Sequence, residues 1–337
     1  MKANKKLFPI KLNGKYGYVN ESGETCIENK YSYAEKFIGE LAVVAIDDLF
    51  GFIDKKGNEI VTIEYDDVYD FAEDLATVDK NGKLGYVDIN GKEIIAPQFK
   101  EANNFSEGLA AVQLGYKWGY IDKEGKFTIK PEFFDAGDFS EGLAMVQSGG
   151  KIGYVDKLGN IVVEFNYDYG KDFKEGLAPV KLKCKYGYID RLGKVVITPK
   201  YYEADIFSEG LAAVKVIDKY GFINKHGDMV VQTKYDWVSN FYENIAAVMV
   251  EQKYGFINKE GVEIIPLKFD KVGIISEGLI PVQIDGKWGY IDKEGEFIIK
   301  PVYDNAERFI NGVGKVIFEN RVKYVNNIGN YLGEKSI

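Results

Sequence analysis

Glycine returns every 34 residues along almost the whole chain: Gly17, Gly51, Gly85, Gly119, Gly153, Gly187, Gly221, Gly255 and Gly289, with no insertion or deletion between them. An aromatic follows each one (Tyr18, Phe52, Tyr86, Tyr120, Tyr154, Tyr188, Phe222, Phe256, Tyr290), and a β-branched residue comes next. A second glycine stands six positions after the first, from Gly23 to Gly295. The stretch KWGYIDKEG occurs at Lys117–Gly125 and again at Lys287–Gly295, five periods apart. A fixed period of roughly 20–50 residues marks a repeat architecture, in which small units stack and each covers its neighbour's apolar face. This overrides the expectation of two domains that a length of 337 residues carries.

One unit can be read from Leu109 to Gly142. LAAVQL, KWGYIDK and KFTIKP are three short runs with the length and composition of strands. An aromatic content of 14% leans the same way, because Tyr and Phe favour strands. Between the second and third runs, an Asp or Asn opens the turn (Asn20, Asp54, Asp88, Asp122) and Gly closes it. The carboxylate can accept backbone N–H groups, and the glycine can take the left-handed conformation of a bulged hairpin loop. The remainder, PEFFDAGDFSEG, crosses to the next unit, with Phe133 and Phe139 in aromatic columns that read as core anchors. The unit is therefore expected to be a three-stranded antiparallel meander plus a connector. Side chains alternate along a strand, so Trp118 and Tyr120 take one face and Gly119 and Ile121 the other. Both faces are apolar or small, as in a sheet buried on both sides.

A polar leader, residues 1–6, precedes a single array over 7–337, with ten units starting near 7, 41, 75, 109, 143, 177, 211, 245, 279 and 313. Propeller blades usually have four strands in about 40 or more residues. Three strands in a shorter period, with no unit split between the chain ends, point to an open β-solenoid or superhelix; a closed β-propeller is the alternative. In the tenth unit Lys323 replaces the repeat glycine, as a capping unit with a polar outer face would. Lys323 is then expected to be exposed and Val325 partly covered, while Gly119 and Ile121 are buried.

These columns resemble the bacterial WG-repeat (KWG repeat) family, whose pattern reads roughly K-W-G-Y-I-D-x-x-G-x-x-V-I-x-P-x-[FY] and closes on F-S-E-G-L-A-x-V. The Trp-Gly pair itself occurs at Trp118–Gly119 and Trp288–Gly289; Tyr16, Phe50, Leu84, Ile152, Tyr186, Tyr220 and Tyr254 precede the glycine elsewhere. The resemblance covers nearly the whole chain. It implies a repeat protein with an interaction function and carries over no catalytic residue.

The chemistry-bearing residues are sparse. A net charge of −9 argues against binding nucleic acid or anionic lipid. The one histidine, His226, lies in the turn NKHG, without the positioned partners that a general base needs. Cys26 and Cys184 fit no metal spacing or disulfide framework. Ser106, Ser140, Ser208 and Ser276 in the FSEG-type segments stand beside glutamate but no histidine, and read as turn formers. Calcium needs several converging oxygens, and each turn supplies one Asp or Asn. No catalytic residue, cofactor or metal is expected, so the chain does not read as an enzyme. There is no secretory h-region and no apolar stretch of the roughly eighteen residues a membrane helix needs, which makes the cytoplasm the expected location.

Three surface columns remain. Lys55, Lys123, Lys157, Arg191, Lys225, Lys259 and Lys293 share one repeat position, and Glu73, Glu107, Glu141, Glu175, Glu209, Glu243 and Glu277 share another. They are expected to line up as a basic and an acidic ridge, serving solubility and edge protection, or forming a strip for a complementary partner. Sixteen positions after the glycine, a mostly polar column carries an aromatic in three copies, Tyr33, Tyr169 and Trp237. Exposed aromatics among polar residues mark a candidate binding surface, against incidental packing. The function expected is a non-catalytic scaffold that binds another protein. A carbohydrate or cell-wall binding module is the alternative.

Overall fold

Every regular element among the described residues is a β-strand, and each strand pairs with its neighbours in sequence to give ten antiparallel sheets. The computed structural model describes residues 6–332, so most of the expected leader lies outside the described residues. The chain forms two units, one of residues 1–165 with 332–337 and one of residues 166–331. No helix long and apolar enough to cross a membrane occurs among the described residues.

The expected three-stranded meander needs correcting, because nine of the ten sheets have four strands. The fourth sheet consists of Glu101–Ala102, Ala110–Leu114, Lys117–Ile121 and Phe127–Phe133. Its added strand is two residues of the connector, which pair as Glu101↔Gln113 and Ala102↔Val112 with the strand that follows. The FSEG segment makes that pairing possible. Glu107 (φ 52°) and Gly108 (φ 88°) are both left-handed, the signature of a mirror-image type I′ hairpin turn, and Ser106 bridges to Leu109 across it. Each sheet thus begins at the connector strand, eight residues before the starts expected at 41, 75 or 109. The first sheet has three strands, Phe8–Leu12, Lys15–Val19 and Thr25–Tyr31. The Asx turn is as expected: Asp122 Oδ1 accepts from the amides of Glu124 (3.2 Å) and Lys126 (2.8 Å), and Gly125 has φ +82°.

The repeat glycine answers to its own sheet. Trp118 pairs with Phe133 and Tyr120 with Ile129, so Lys130, Pro131 and Glu132 bulge opposite Gly119. A Cβ at Gly119 would lie 2.6 Å from the Ile129 carbonyl oxygen and 2.7 Å from the Pro131 nitrogen. The close approach that requires glycine comes from the backbone of the neighbouring strand.

Both faces of each sheet are buried, as the alternation implies. Tyr120 joins Ile129 and Phe133 in packing on Phe139, Val146 and Val155 of the fifth sheet. Ile121 joins Ala110 and Val112 in packing backward on Tyr86, Ile95 and Phe99 of the third. The second unit repeats the arrangement: in the tenth sheet Val316 and Val325 pack on Tyr290, Ile299 and Tyr303 of the ninth.

That direction overturns the capping reading of Lys323. Its column faces the preceding sheet, and Val325, expected to be partly covered, is 0% exposed. Lys323 itself is of intermediate exposure, with Nζ 4.3 Å from the ring centre of Tyr331 and 5.5 Å from that of Phe318. Lys323 stands at the position that glycine holds under a bulge in the other sheets. Two of the arguments that set an open solenoid above a propeller, three strands per unit and a capping lysine, fall. Four-stranded sheets repeated in tandem are the blades of β-propellers.

Gly119→Ala is expected to destabilise the protein by about 1–3 kcal/mol or more through this backbone clash, with a matching drop in Tm. An unchanged melting temperature would show that the bulge yields freely.

Candidate binding surface

Four polar links join the fourth sheet to the fifth. The Tyr120 hydroxyl donates to the Gly137 carbonyl (2.8 Å), and the Ser106 hydroxyl donates to the Phe139 carbonyl (2.8 Å). Glu107 Oε2 accepts the Gly142 amide (2.9 Å) and pairs with Lys157 Nζ (3.1 Å), which also donates to the Glu107 carbonyl (2.8 Å). The pattern recurs. Glu73 takes Gly108 and Lys123, Glu175 takes Gly210 and Lys225, and Glu209 takes Asn244 and Lys259. Ser208 and Ser276 donate to Phe241 and Phe309. Five lysines and five glutamates of the two columns therefore pair with one another across junctions instead of forming separate ridges, Lys293 with Glu243 being the fifth pair. A glutamate in the left-handed region is strained by roughly 1 kcal/mol or more, which glycine or asparagine would relieve. The bond its carboxylate makes to the next sheet is the physical reason for having glutamate there.

One junction departs at every one of these positions. Between the second and third sheets Phe52 stands in the tyrosine column, Ile38 in the serine column, Gly39 in the glutamate column and Ile89 in the lysine column. A cavity of about 450 Å³ opens there, floored by Ile38, Leu41, Val43, Phe52, Phe71 and Ile89 and edged by Glu35, Lys36, Glu40 and Asp70. A second cavity of about 400 Å³ shares Glu35, Val43 and Asp70 with it and adds Tyr33, Phe50, Asp67, Val68 and Tyr69. Together they form one groove across the two sheets. Phe71 is only partly buried, whereas Phe105 and Phe139 of the same column are closed in. Ile38 is 57% exposed and Ile89 46%.

The three aromatics singled out from the sequence are all exposed, at 41–46%. Each opens a two-residue connector strand and stands edge-on to the residue before its own sheet's glycine: Tyr33 on Phe50 at 5.9 Å, Tyr169 on Tyr186 at 6.2 Å and Trp237 on Tyr254 at 5.7 Å. They belong to separate sheets, and Glu203 occupies the column between Tyr169 and Trp237. Only Tyr33 lies on the groove. Its hydroxyl donates to Glu35 Oε1 (2.5 Å); burial, then this carboxylate, holds its pKa above the ordinary tyrosine value. Sequence reading missed Ile38, Ile89, Phe71, Tyr69, Glu35 and Asp70. The signal was the joint departure of aligned columns, which has meaning only once the columns are known to touch.

His226 is exposed in its turn, where its amide donates to Asn224 Oδ1 at 3.0 Å. Cys26 and Cys184 are both free thiols. Among the described residues no group of three or more His, Cys, Asp or Glu is placed to hold a metal ion.

The WG-containing repeat family matches nine consecutive stretches of the chain: residues 16–50, 50–83, 85–118, 118–151, 152–185, 186–220, 220–254, 254–288 and 288–321. The chain belongs to the WG-repeat family. No curated protein matches this WG-repeat chain. Among solved structures it resembles a eukaryotic initiation factor, at 11% identity and a TM-score of 0.54, covering 99% of this chain and 97% of the other. That is a likeness of fold alone. The computationally designed Ika8 protein (10% identity, TM-score 0.45, 87% and 98% covered) and the dihydro-heme d1 dehydrogenase NirN (11%, 0.45, 77% and 72%) are more distant and support no argument.

Burial raises the Glu107 carboxyl pKa, but Lys157 and the Gly142 amide outweigh it and hold the group below its ordinary value of 4.5; Glu209 is held down in the same way by Lys259 and Asn244. The stability these pairs contribute is complete above the unfolded-state pKa and is lost as pH falls through the depressed folded value. Glu107→Ala is expected to cost about 1–2 kcal/mol at pH 7, as a partly exposed charge-assisted bond does. Glu107→Gln should cost less near pH 3 than at pH 7 in urea unfolding. An equal cost at both pH values would show that the carboxylate charge is idle.

Proposed function

We propose that this WG-repeat protein is a non-catalytic scaffold that binds another protein, and that its sheets are blades of a closed propeller rather than steps of an open stack. The observation that carries the binding reading is the groove at the junction where all four polar links are replaced. Elsewhere the repeat columns are spent on holding one sheet to the next. Here Ile38 and Ile89 face solvent beside a concave apolar floor, an arrangement that costs stability unless something covers it. Closure is supported by the four-stranded sheets. A carbohydrate ligand is the second reading, favoured by the exposed rings of Tyr169 and Trp237.

The test of the binding reading is affinity capture from the native cell with two baits. One is the wild type; the other has FSEG and the turn lysine restored by Ile38→Ser, Gly39→Glu, Glu40→Gly and Ile89→Lys. A protein retained by the first and lost from the second is expected. Equal retention by both baits, or glycan-array binding with no protein retained, would contradict this reading. Small-angle scattering tests closure: a compact particle has a radius of gyration near 20 Å by the usual scaling. Ten sheets stacked at about 10 Å would instead extend on the order of 100 Å.

A further inference from the structure

We infer that the groove between the second and third sheets takes an extended peptide segment carrying one large apolar side chain and, two positions away, an arginine or lysine. This rests on the scaffold reading and specifies its ligand.

The apolar part of the ligand follows from the first cavity. Its floor of Ile38, Phe52, Phe71 and Ile89 offers no polar group, and about 450 Å³ lies within the roughly 300–1,000 Å³ of sites that enclose a ligand. The basic part follows from the rim. Glu35, Glu40, Asp67 and Asp70 stand there with Lys36 as the one cation among the residues lining the two cavities. Glu40 is already paired with Lys55 (2.9 Å), Glu35 accepts the Tyr33 hydroxyl and Asp67 Oδ1 accepts the Val68 amide (2.9 Å), so Asp70 and the second oxygen of Asp67 are best placed to meet a ligand cation. They sit in the second cavity with Tyr33 and Tyr69, 42% and 45% exposed, whose ring faces also attract a guanidinium or ammonium.

The two cavities share an edge at Val43 and Asp70, so the apolar and cationic subsites are adjacent. In an extended chain, residues two apart project to the same side, which is the spacing proposed. A second copy of this chain is a poor occupant, since a molecule of net charge −9 would bring its own acidic surface to an acidic rim. An acidic peptide or a nucleic acid meets the same repulsion.

Fluorescence polarisation with labelled octapeptides tests this. The probe has Leu and Arg two positions apart in a Gly/Ser background; the controls replace Leu by Ser or Arg by Glu. Binding by the wild type is expected to weaken about tenfold or more for each control, the loss of one well-made contact. It should weaken comparably for Asp70→Lys, and in high salt, which screens the rim. The restored-FSEG variant should lose the probe while melting no lower than the wild type, which separates a filled groove from a misfolded one. Undiminished binding to that variant, equal binding of the Glu control, or no binding of the probe at all would overturn the inference. In the last case a protein partner captured by the wild type but not by the restored variant would leave the scaffold reading standing. Loss of both would end both.

Discussion

A sheet of four short strands has two apolar faces and can cover neither by itself. In the fourth sheet Tyr120 and Ile121 are consecutive residues pointing in opposite directions, and each is 0% exposed because a neighbouring sheet lies against it. Apolar burial of this kind is strong but non-directional. The position of one sheet on the next is set by directional bonds at fixed offsets: a tyrosine hydroxyl reaching 17 residues ahead, a serine 33, a glutamate 35, and a lysine reaching 50 residues back. The constancy of the 34-residue period follows, because an insertion in any unit would break the links on both of its sides.

The same dependence explains where a ligand can go. Stability in such an array is close to a sum of unit and neighbour terms, so one altered junction need not unfold the rest. At the junction of the second and third sheets the hydroxyls, the carboxylate and the ammonium have given way to Phe52, Ile38, Gly39 and Ile89. The aromatic contact survives, with Phe52 and Phe71 at 4.9 Å, so the sheets still pack. What opens is the side where the polar links would have been. Binding in this molecule is best sought where the repeat stops repeating.

Much of this was legible in the sequence: the period, the Asx-to-glycine turn at Asp122–Gly125, and the two-sided burial read from Trp118–Ile121. The connector strand was not, because two residues such as Glu101–Ala102 are too short a run to read as a strand; its pairing comes from the FSEG hairpin folding the connector back on the next strand. The clue was a column of small or β-branched residues, Ala34, Val68, Ala102, Ala136, Gly170 and Ala204, lying beside the variable one. The reason for the repeat glycine was not legible, because the bulge opposite it is defined by strand pairing and not by a residue type. The charge columns looked like two ridges because pairing across 50 residues becomes visible only when sheets are stacked. Tyr33, Tyr169 and Trp237 were correctly read as exposed, yet only Tyr33 borders the groove.

Native-state hydrogen exchange most directly tests the claim that polar links hold the sheets together and are missing at one junction, since it reads opening locally. The Gly108 and Gly142 amides, which donate to Glu73 and Glu107, should exchange slowly for surface turns. The aligned Asp74 amide, facing Gly39 where a glutamate would stand, should exchange far faster, as should the hairpin around it. Equal protection of Asp74 and Gly142 would contradict the claim, and with it the reason for seeking a ligand at this junction.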